Sequence, residues 1–332
     1  MNGTMQSVSQ DQLGGPDVLK LITSPTPQPS ISEILIRVAA AGVNPIDGAN
    51  RETGALIGEP PFVLGWDISG TVEAVGPGVT LHQPGDEVFG MLPFPGGHGA
   101  YAEYVVGPAR AFVPKPANLD HVHAAAIPMV GLTAWQALVD TARIGQGSRV
   151  LIIGAAGGIG HLAVQIAKAR GAVVTALAST ANVDFVRALG ADEVIDYTST
   201  DFTAVVRDQD AVLDVVGGDY PARALGVVKP GGIVVSTQPP SLAAAGEAAT
   251  ARGVRLAGII VEADRVGMSA LADLAAAGQL VPTIAATFPL QEASVASAMG
   301  DLAATGDTFP LEQGGAAMSG QHGPGKIVLQ VA

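Results

Sequence analysis

The sequence predicts a two-domain protein, a β-barrel domain followed by a doubly wound α/β domain, and three observations carry that prediction. Short β-favouring runs separated by Pro-Gly pairs fill about the first 120 residues; from Arg149 apolar runs alternate with helical spacing; and 332 residues suit about two domains at roughly 100–200 residues each. In the first part, residues 34–38, 70–75, 87–90 and 102–106 read as strands, with turns at Pro77-Gly78, Pro84-Gly85 and Pro95-Gly96-Gly97. Strands this short at this spacing suit a compact, partly closed barrel. Residues 123–140 are alanine-rich and read as helical. Beyond them, residues 173–177, 193–197, 211–216, 232–236 and 255–261 read as strands, most of them separated by helices near 182–189, 220–228 and 268–277. That alternation predicts a parallel sheet with helices on its faces. Residues 326–331 form a lone strand expected to return to the first domain. The expected division is therefore 1–122 and 284–332 for the β-domain, and 123–283 for the α/β domain. One internal repeat, Thr287-Phe-Pro-Leu-Gln-Glu and Thr308-Phe-Pro-Leu-Glu-Gln, reads as a short tandem duplication that lengthens a surface helix and loop. It is too short for a solenoid.

The most informative stretch is Arg149-Val-Leu-Ile-Ile-Gly-Ala-Ala-Gly-Gly-Ile-Gly160. Four apolar residues, 150–153, read as a buried parallel strand that runs into glycines at 154, 157 and 160. Apolar positions at 159, 162, 163 and 166 then follow a helix face. Strand, glycine turn and helix make a dinucleotide-binding site: Gly154 permits the tight turn, Gly157 lets the backbone approach a pyrophosphate, and Gly160 lets the helix pack close to the strand. The helix N-terminus offers N–H groups and a partial positive charge to the phosphates.

Composition narrows the remaining classes. Charged residues make up 14% and the formal net charge is −13, which disfavours bulk electrostatic binding to nucleic acid or an anionic membrane. An anionic ligand must then be held by local N–H groups and a few side chains. The absence of cysteine excludes disulfides, thiolate zinc sites and a cysteine nucleophile. Residues 1–15 carry neither a basic cluster nor an apolar core, so no signal peptide is expected. The most apolar stretch, 124–139, is interrupted by Pro128, Thr133 and Gln136 and is too short for a span of about 20 residues. A soluble, cytoplasmic protein is expected.

Several motifs together resemble the medium-chain dehydrogenase/reductase superfamily, in its zinc-free quinone oxidoreductase (zeta-crystallin-like) branch. They are Ala41-Gly-Val-Asn-Pro-Ile-Asp47, Gly65-Trp-Asp-Ile-Ser-Gly-Thr-Val-Glu-Ala-Val-Gly-Pro-Gly-Val79, Pro84-Gly-Asp-Glu-Val88, Gly99-Ala-Tyr-Ala-Glu-Tyr104, Gly131-Leu-Thr-Ala134, Ala155-Ala-Gly-Gly-Ile-Gly160 and Gly325-Lys-Ile-Val-Leu329. The resemblance spans nearly the whole chain. It implies an α/β fold, a GroES-like β-barrel domain plus a Rossmann doubly wound parallel-sheet domain, and it implies a homodimer. Zinc-dependent relatives carry a cysteine near position 43 and Gly-His-Glu near 65–67, where this chain has Val43 and Gly65-Trp66-Asp67. The six histidines, at 82, 98, 121, 123, 161 and 322, show no spacing that would build another zinc site, and no metal is expected.

The expected cofactor is NADPH. An NAD site places Asp or Glu at the end of the second strand, about 20 residues past the glycines, to accept from the ribose 2′-hydroxyl. Here that strand ends Ala178-Ser179-Thr180, with no carboxylate to repel a 2′-phosphate and two hydroxyls to donate to it. Ser179 and Thr180 also suit a helix N-cap. In the resembling family a serine or threonine, a basic residue three positions on, and a tyrosine after the next strand hold that phosphate; Ser179 and Tyr197 match, and Asn182 stands where the basic residue is usual. The resemblance further implies Thr133 on the nicotinamide side, Gly157, Gly158 and Ile159 at the pyrophosphate, and Val216, Gly217, Gly258, Ile259 and Ile260 along the nicotinamide ribose and carboxamide.

Without zinc there is no Lewis acid to stabilise an alkoxide, a contribution of several kcal/mol. A conjugated acceptor avoids that need, because hydride addition leaves charge delocalised in an enolate or phenolate. Asn44, backbone N–H groups and the nicotinamide ribose hydroxyl are the expected donors to it. The expected reaction is NADPH-dependent reduction of an enone, enal or quinone. Asn44 and Asp47 are expected to orient substrate and nicotinamide, although Asp47 also suits closure of the turn after Pro45. Water is expected to supply the final proton, with His98 in Gly96-Gly-His-Gly99 as a second candidate acid. Two other readings stand open: a trans-acting enoyl-thioester reductase of polyketide or fatty-acid assembly, and a non-catalytic NADPH-binding structural or RNA-binding protein, the RNA-binding form of which the net charge disfavours.

Overall fold

A computed structural model of the chain describes residues 3–305 and 324–331; the second copy of the Thr-Phe-Pro-Leu repeat and His322 lie outside the described residues. The chain forms two compact units: 1–129, 262–276 and 282–332 make the first, and 130–261 with 277–281 the second. The helix Arg265–Ala276, which the sequence reading counts with the α/β domain, belongs to the first unit. An Arg265 guanidinium N–H donates to the Phe112 carbonyl, and Asn118 Nδ2 donates to the Ala275 carbonyl at 2.9 Å.

The first unit is built on the long strand Glu33–Val43, whose apolar residues are almost all buried. On one side it pairs antiparallel with Lys326–Gln330, and on the other with Asp67–Val75. The sheet runs Ile284–Pro289, Lys326–Gln330, Glu33–Val43, Asp67–Val75, Glu87–Met91, Phe112–Pro114, and Tyr104–Pro108 also pairs with Glu33–Val43. A smaller sheet, Lys20–Pro25, Thr4–Gln10, Phe62–Val63, completes the unit. The sequence reading finds the stretch 102–106 two residues early, because Ala102 forms only an isolated bridge to Ser7 before the strand begins at Tyr104. It misses Thr4–Gln10 and Lys20–Pro25, which are polar or solvent-facing and lack an apolar run.

Register brings distant residues together here: Gly42 lies opposite Asp67, and Val43 opposite Ile327. Gly42 is required by the close approach, since a Cβ there would lie 2.9 Å from the Asp67 side chain and 2.6 Å from the Ala125 carbonyl oxygen.

The second unit is a six-stranded parallel sheet in the order Glu193–Asp196, Val173–Ala178, Arg149–Ile153, Gln209–Asp214, Val228–Ser236, Arg255–Gly258. Its strands are near-continuous apolar runs because both faces are covered, and Leu151, Ile153, Leu177, Val212 and Val234 meet in one core. Three strands end sooner than the sequence suggests, at Asp196, Asp214 and Gly258, which leaves Tyr197, Val216 and Ile259 beyond the sheet edge.

Arg51, on the helix Pro45–Thr53, is wholly buried in the first unit and donates to the Gly14 carbonyl (3.0 Å), Ser297 Oγ (2.6 Å), Glu52 (2.7 Å) and Asp301 (2.9 Å). The facing Gly48 admits the Asp301 carboxylate, which a Cβ would meet at 2.0 Å. Arg51→Met should destabilise the protein by about 3 kcal/mol, the low end for breaking a buried pair because Asp301 keeps some solvent. Urea unfolding tests this, and a loss under about 1 kcal/mol would mean the packing of the arginine stem is what matters.

Candidate dinucleotide cradle and buried polar cluster

All six strands of the second unit are parallel, so their C-terminal ends share one edge, and most cofactor residues singled out in the sequence follow those ends. Gly154 follows Ile153, Ser179 follows Ala178, Tyr197 follows Asp196, Val216 and Gly217 follow Asp214, and Ile259 and Ile260 follow Gly258. The strand Arg149–Ile153 has partners on both sides, and the chain winds outward in both directions from it. That is the switch point where open α/β sheets bind ligands.

The glycine turn has a definite division of labour. Gly154 adopts φ +84°, and a Cβ there would lie 2.6 Å from the Val215 side chain. Gly160 is pressed against the turn, where a Cβ would meet the Gly154 carbonyl oxygen at 2.1 Å. Gly157 differs: its φ is −75° and the nearest atom to a Cβ is 3.5 Å away, so nothing in the protein demands glycine there. A Cβ at 157 would instead fill the open cradle above the helix Gly158–Ala169. No side chain caps that helix. By helix geometry the N–H groups of Gly158, Ile159 and Gly160 lack intrahelical acceptors. Three such groups beside a position kept free of side chain fit a pyrophosphate.

At the far side of this edge the structure corrects the sequence reading. The Thr180 hydroxyl is not free for a phosphate: it donates to Asp196 Oδ2 at 2.6 Å. A carboxylate therefore stands at this corner after all, delivered by the end of the third strand, because Ala178 pairs in register with Asp196. Hydrogen bonds from the Thr180 and Thr198 hydroxyls and the Thr198 N–H hold that carboxylate below the usual range and ionised. Asn182 Nδ2 donates to Ser179 Oγ at 3.2 Å, so the Ser179 proton points elsewhere. Ser179 opens the short helical turn Thr180–Asn182 without capping it through its side chain. Tyr197 is half exposed.

Near the middle of the edge, Asp214 was missed by sequence reasoning. Fully buried, it accepts from the N–H groups of Val216 (3.0 Å) and Gly217 (2.9 Å) and from Ser236 Oγ (2.7 Å). It shapes the turn that presents Val216, which is exposed, and Gly217, at φ +84°. The signal was present as Asp-x-x-Gly at a strand end. Gly258 sits where a Cβ would press on Pro239 at 2.8 Å, the Ile259 N–H donates to the Ser236 carbonyl at 3.0 Å, and Ile260 is exposed. Thr133 lies buried in the helix Pro128–Trp135.

The first unit holds a buried polar cluster. Lys326 Nζ donates to the Val43 carbonyl (2.6 Å) and to Asn44 Oδ1 (2.5 Å), and lies 3.9 Å from Asp67 Oδ2. Asn44 Nδ2 donates to Asp67 Oδ2 at 2.9 Å, and the Met129 N–H donates to Asp67 Oδ1 at 2.8 Å. Because ammonium can only donate, the Asn44 amide has one orientation, and its second N–H has no partner among the described residues. Burial raises the Asp67 carboxyl, which the Lys326 ammonium opposes; burial lowers the Lys326 amine, which Asp67 and Asp47 oppose.

Of the two sequence readings of Asp47, the structure shows the turn closure. Asp47 is fully buried, with Oδ2 accepting from the Asn44 N–H at 2.7 Å and the Tyr101 hydroxyl at 2.8 Å, so it closes the first turn of the helix Pro45–Thr53 rather than facing a substrate. Tyr101 is buried with it. Asp47 Oδ1 is buried without a partner, and desolvation raises the carboxyl to about 7. His98 shares no hydrogen bond with this cluster. Its Nδ1 lies 2.8 Å from the Val63 carbonyl oxygen, and its ring sits edge-on to Phe62 and Trp66. A carbonyl can only accept, so in the neutral ring Nδ1 keeps the proton and Nε2 is an acceptor.

The positions that hold zinc in metal-dependent relatives do not fit the ion here. Val43 has no donor side chain, buried Trp66 donates Nε1–H to the Pro95 carbonyl at 3.3 Å, and Asp67 is committed to Asn44 and Met129 with an ammonium beside it. Among the described residues no three His, Asp or Glu side chains converge on a metal-sized site, and no helix is long and apolar enough to cross a membrane.

Two outcomes follow from this geometry. Gly157→Ala should leave thermal unfolding of the free protein nearly unchanged while weakening binding of a nicotinamide dinucleotide, read by fluorescence titration, at least about tenfold, whereas Gly160→Ala should cost about 1–3 kcal/mol of stability by overpacking. Equal effects on stability would remove the distinction. For Asp47, the folded carboxyl keeps its proton to about pH 7, while an unfolded one releases it near about 4. The folded state then binds more protons across that window, so this group's contribution to stability falls as pH rises, by at most about 1.4 kcal/mol per pH unit. Denaturant unfolding across the window should show that slope in the wild type and its loss in Asp47→Asn; equal slopes would mean Asp47 ionises alike in both states.

A family model for the alcohol dehydrogenase GroES-like domain matches residues 30–117, and one for zinc-binding dehydrogenases matches residues 189–307. The chain is similar to the mitochondrial NAD(P)H oxidoreductase RTN4IP1 of Danio rerio, 37% identical over 245 residues that cover 66% of this chain and 63% of that one. Against the Mus musculus protein the match is 35% over 305 residues, covering 79% and 76%. The trans-enoyl reductase pgmF of Aspergillus terreus is 40% identical over 196 residues, 56% of this chain and 55% of its own. Among solved structures, a quinone oxidoreductase from Coxiella burnetii superposes with TM-score 0.87 at 34% identity, covering 99% of this chain and all of that one. With the barrel strands and parallel sheet described above, these similarities identify the chain as a member of the medium-chain dehydrogenase/reductase superfamily, in its quinone-oxidoreductase-like branch.

Proposed function

We propose that this protein is an NADPH-dependent, zinc-independent oxidoreductase that reduces a conjugated carbonyl (enone or enal) or a quinone. An oxidoreductase role with a nicotinamide cofactor follows from the family; the choice of acceptor rests on one observation. At the positions where zinc-dependent relatives carry ligands this chain has Val43, Trp66 and Asp67, and beside them the Lys326 ammonium donates to the Val43 carbonyl and Asn44 and lies 3.9 Å from Asp67. A divalent ion placed there would meet a fixed positive charge and no side-chain ligand set. Stabilising a localised alkoxide is therefore difficult, and an acceptor that delocalises charge is favoured.

The second unit would hold the dinucleotide, with the N–H groups of Gly158 and Ile159 at the pyrophosphate and Ser179 and Tyr197 at the adenosine ribose; bound there, it supplies hydride to the β-carbon of the acceptor. Asn44, its amide orientation fixed by Lys326 and Asp67, is the donor assigned to the acceptor oxygen. Asp47 supports Asn44 from below through its backbone N–H. The acceptor then takes one proton, and the products are the oxidised cofactor and the saturated carbonyl or hydroquinone. The His98 Nδ1–H is committed to the Val63 carbonyl, and water is assigned as the proton source.

A second reading is favoured by the similarity to the fungal trans-enoyl reductase: the same residues acting on an enoyl thioester. Steady-state assays with NADPH against enones, quinones, enoyl thioesters and primary alcohols separate these readings. The expected result is turnover of enones or quinones, unchanged after exhaustive chelation, with negligible alcohol oxidation. Tenfold preference for the thioester would favour the second reading. Loss of one bound zinc together with activity would overturn the mechanism. His98→Ala should retain most activity; a loss of about 10²–10⁴-fold with NADPH affinity intact would instead make His98 the acid.

A further inference from the structure

We propose that Asp196 is a specificity-determining residue of the dinucleotide site, opposing the 2′-phosphate from the third strand and holding the preference for NADPH over NADH to a modest one. The inference rests on the reading of Ser179 and Tyr197 as the adenosine-ribose residues. Three observations carry it. Ala178 and Asp196 are register partners at the ends of adjacent parallel strands, so the carboxylate arrives beside the segment Ser179-Thr180. The contact is direct, with Thr180 Oγ1 2.6 Å from Asp196 Oδ2, and the residue bearing it is one peptide unit from Ser179. Tyr197, next in sequence to Asp196, is half exposed on the same edge. The two residues assigned to the phosphate therefore each adjoin, in the chain, a partner in the carboxylate's hydrogen bond.

The hydroxyls that surround Asp196 are turned toward it. Thr180 donates to Oδ2, Thr198 donates to Oδ1 through both its hydroxyl (2.6 Å) and its N–H (2.9 Å). Those bonds hold the group ionised and withdraw Thr180 from the phosphate. Among the described residues no cation pairs with it: Arg187, the basic residue in the following helix, pairs with Asp184 at 2.6 Å, and Asn182 occupies the position at which a base would offset the charge. A dianionic phosphate at Ser179 would thus face one uncompensated carboxylate. An unphosphorylated ribose would not. At a solvent-exposed corner this repulsion amounts to a several-fold effect and is screened by salt.

Calorimetric titration with 2′,5′-ADP and 5′-AMP isolates the 2′-phosphate without turnover. Asp196→Asn removes the charge, keeps one acceptor oxygen for the Thr198 hydroxyl and N–H, and offers an amide N–H to the Thr180 hydroxyl, which can accept it. It should tighten 2′,5′-ADP about five- to tenfold at low ionic strength, leave 5′-AMP unchanged, and lose most of that gain at about 0.5 M salt. Thr180→Val removes one bond to the carboxylate while leaving its charge, and should leave the ratio of the two affinities equal to or below that of the wild type. The inference is overturned by an unchanged ratio in Asp196→Asn, by parallel loss of both ligands, which would make Asp196 only a brace for the turn, or by a raised ratio in Thr180→Val. If wild type binds 5′-AMP but Ser179→Ala alters neither ligand, the assignment of the adenosine-ribose site fails instead, whatever Asp196 does.

Discussion

The burial of a single ammonium constrains the first unit more than any other interaction. Taking a lysine and a carboxylate out of water costs several kcal/mol per ion, and it is tolerated only where hydrogen bonds replace the lost hydration. Lys326 reaches that condition by drawing on two separate pieces of chain: the junction of the strand Glu33–Val43 and the helix Pro45–Thr53, through the Val43 carbonyl and Asn44, and the strand Asp67–Val75 through Asp67. None of these groups is satisfied alone. Asn44 would leave Oδ1 bare without Lys326, and Asp67 would be a naked buried charge without Asn44, the Met129 N–H and the ammonium. The cluster therefore ties the C-terminal strand, almost 300 positions later in the chain, to the turn that presents Asn44. Gly42 is part of the same constraint, since only a residue without a side chain leaves room for Asp67 across the sheet.

The second unit depends on a different economy, in which backbone does most of the positioning. Gly154 and Gly160 are fixed by the protein's own packing, and Gly157 by what the protein leaves open. Asp214 plays there the part that Asp47 plays in the first unit: a buried carboxylate at an element end that accepts backbone N–H groups and sets the path of the following turn. In both cases the carboxylate acts through the backbone it shapes.

The parallel sheet was legible because its strands are short apolar runs ending in glycine or polar residues, and the glycine turn because its spacing has a mechanical meaning that survives without context. The polar clusters were not. Lys326 was visible only as part of Gly325-Lys-Ile-Val-Leu329, and nothing local says that its side chain turns inward to Asn44. For Asp47 the sequence left two readings, orienting a substrate or closing the turn after Pro45, and only its burial and its bond from the Asn44 N–H decide for the turn. The corner at Thr180 was misread. Counting along one strand finds no carboxylate after residue 178, but the parallel register sets the end of the next strand beside it and brings Asp196 within hydrogen-bonding distance. Contacts made through register are invisible to a reading that follows one segment at a time.

The two ends of the proposed chemistry can be connected through Asn44. An amide whose oxygen accepts from an ammonium is polarised, and its N–H groups become better donors, since hydrogen bonds in a low-dielectric interior strengthen one another by about 10–30% per bond. Lys326 thereby contributes positive charge without contacting a substrate, and it does so at a fixed distance set by the strand register. That contribution is small beside the several kcal/mol a coordinated metal supplies. An oxygen that must carry a full localised charge gains too little from it. One whose charge is shared over a conjugated system needs no more than an oriented donor, and the partnership of Lys326, Asp67 and Asn44 is built to supply one.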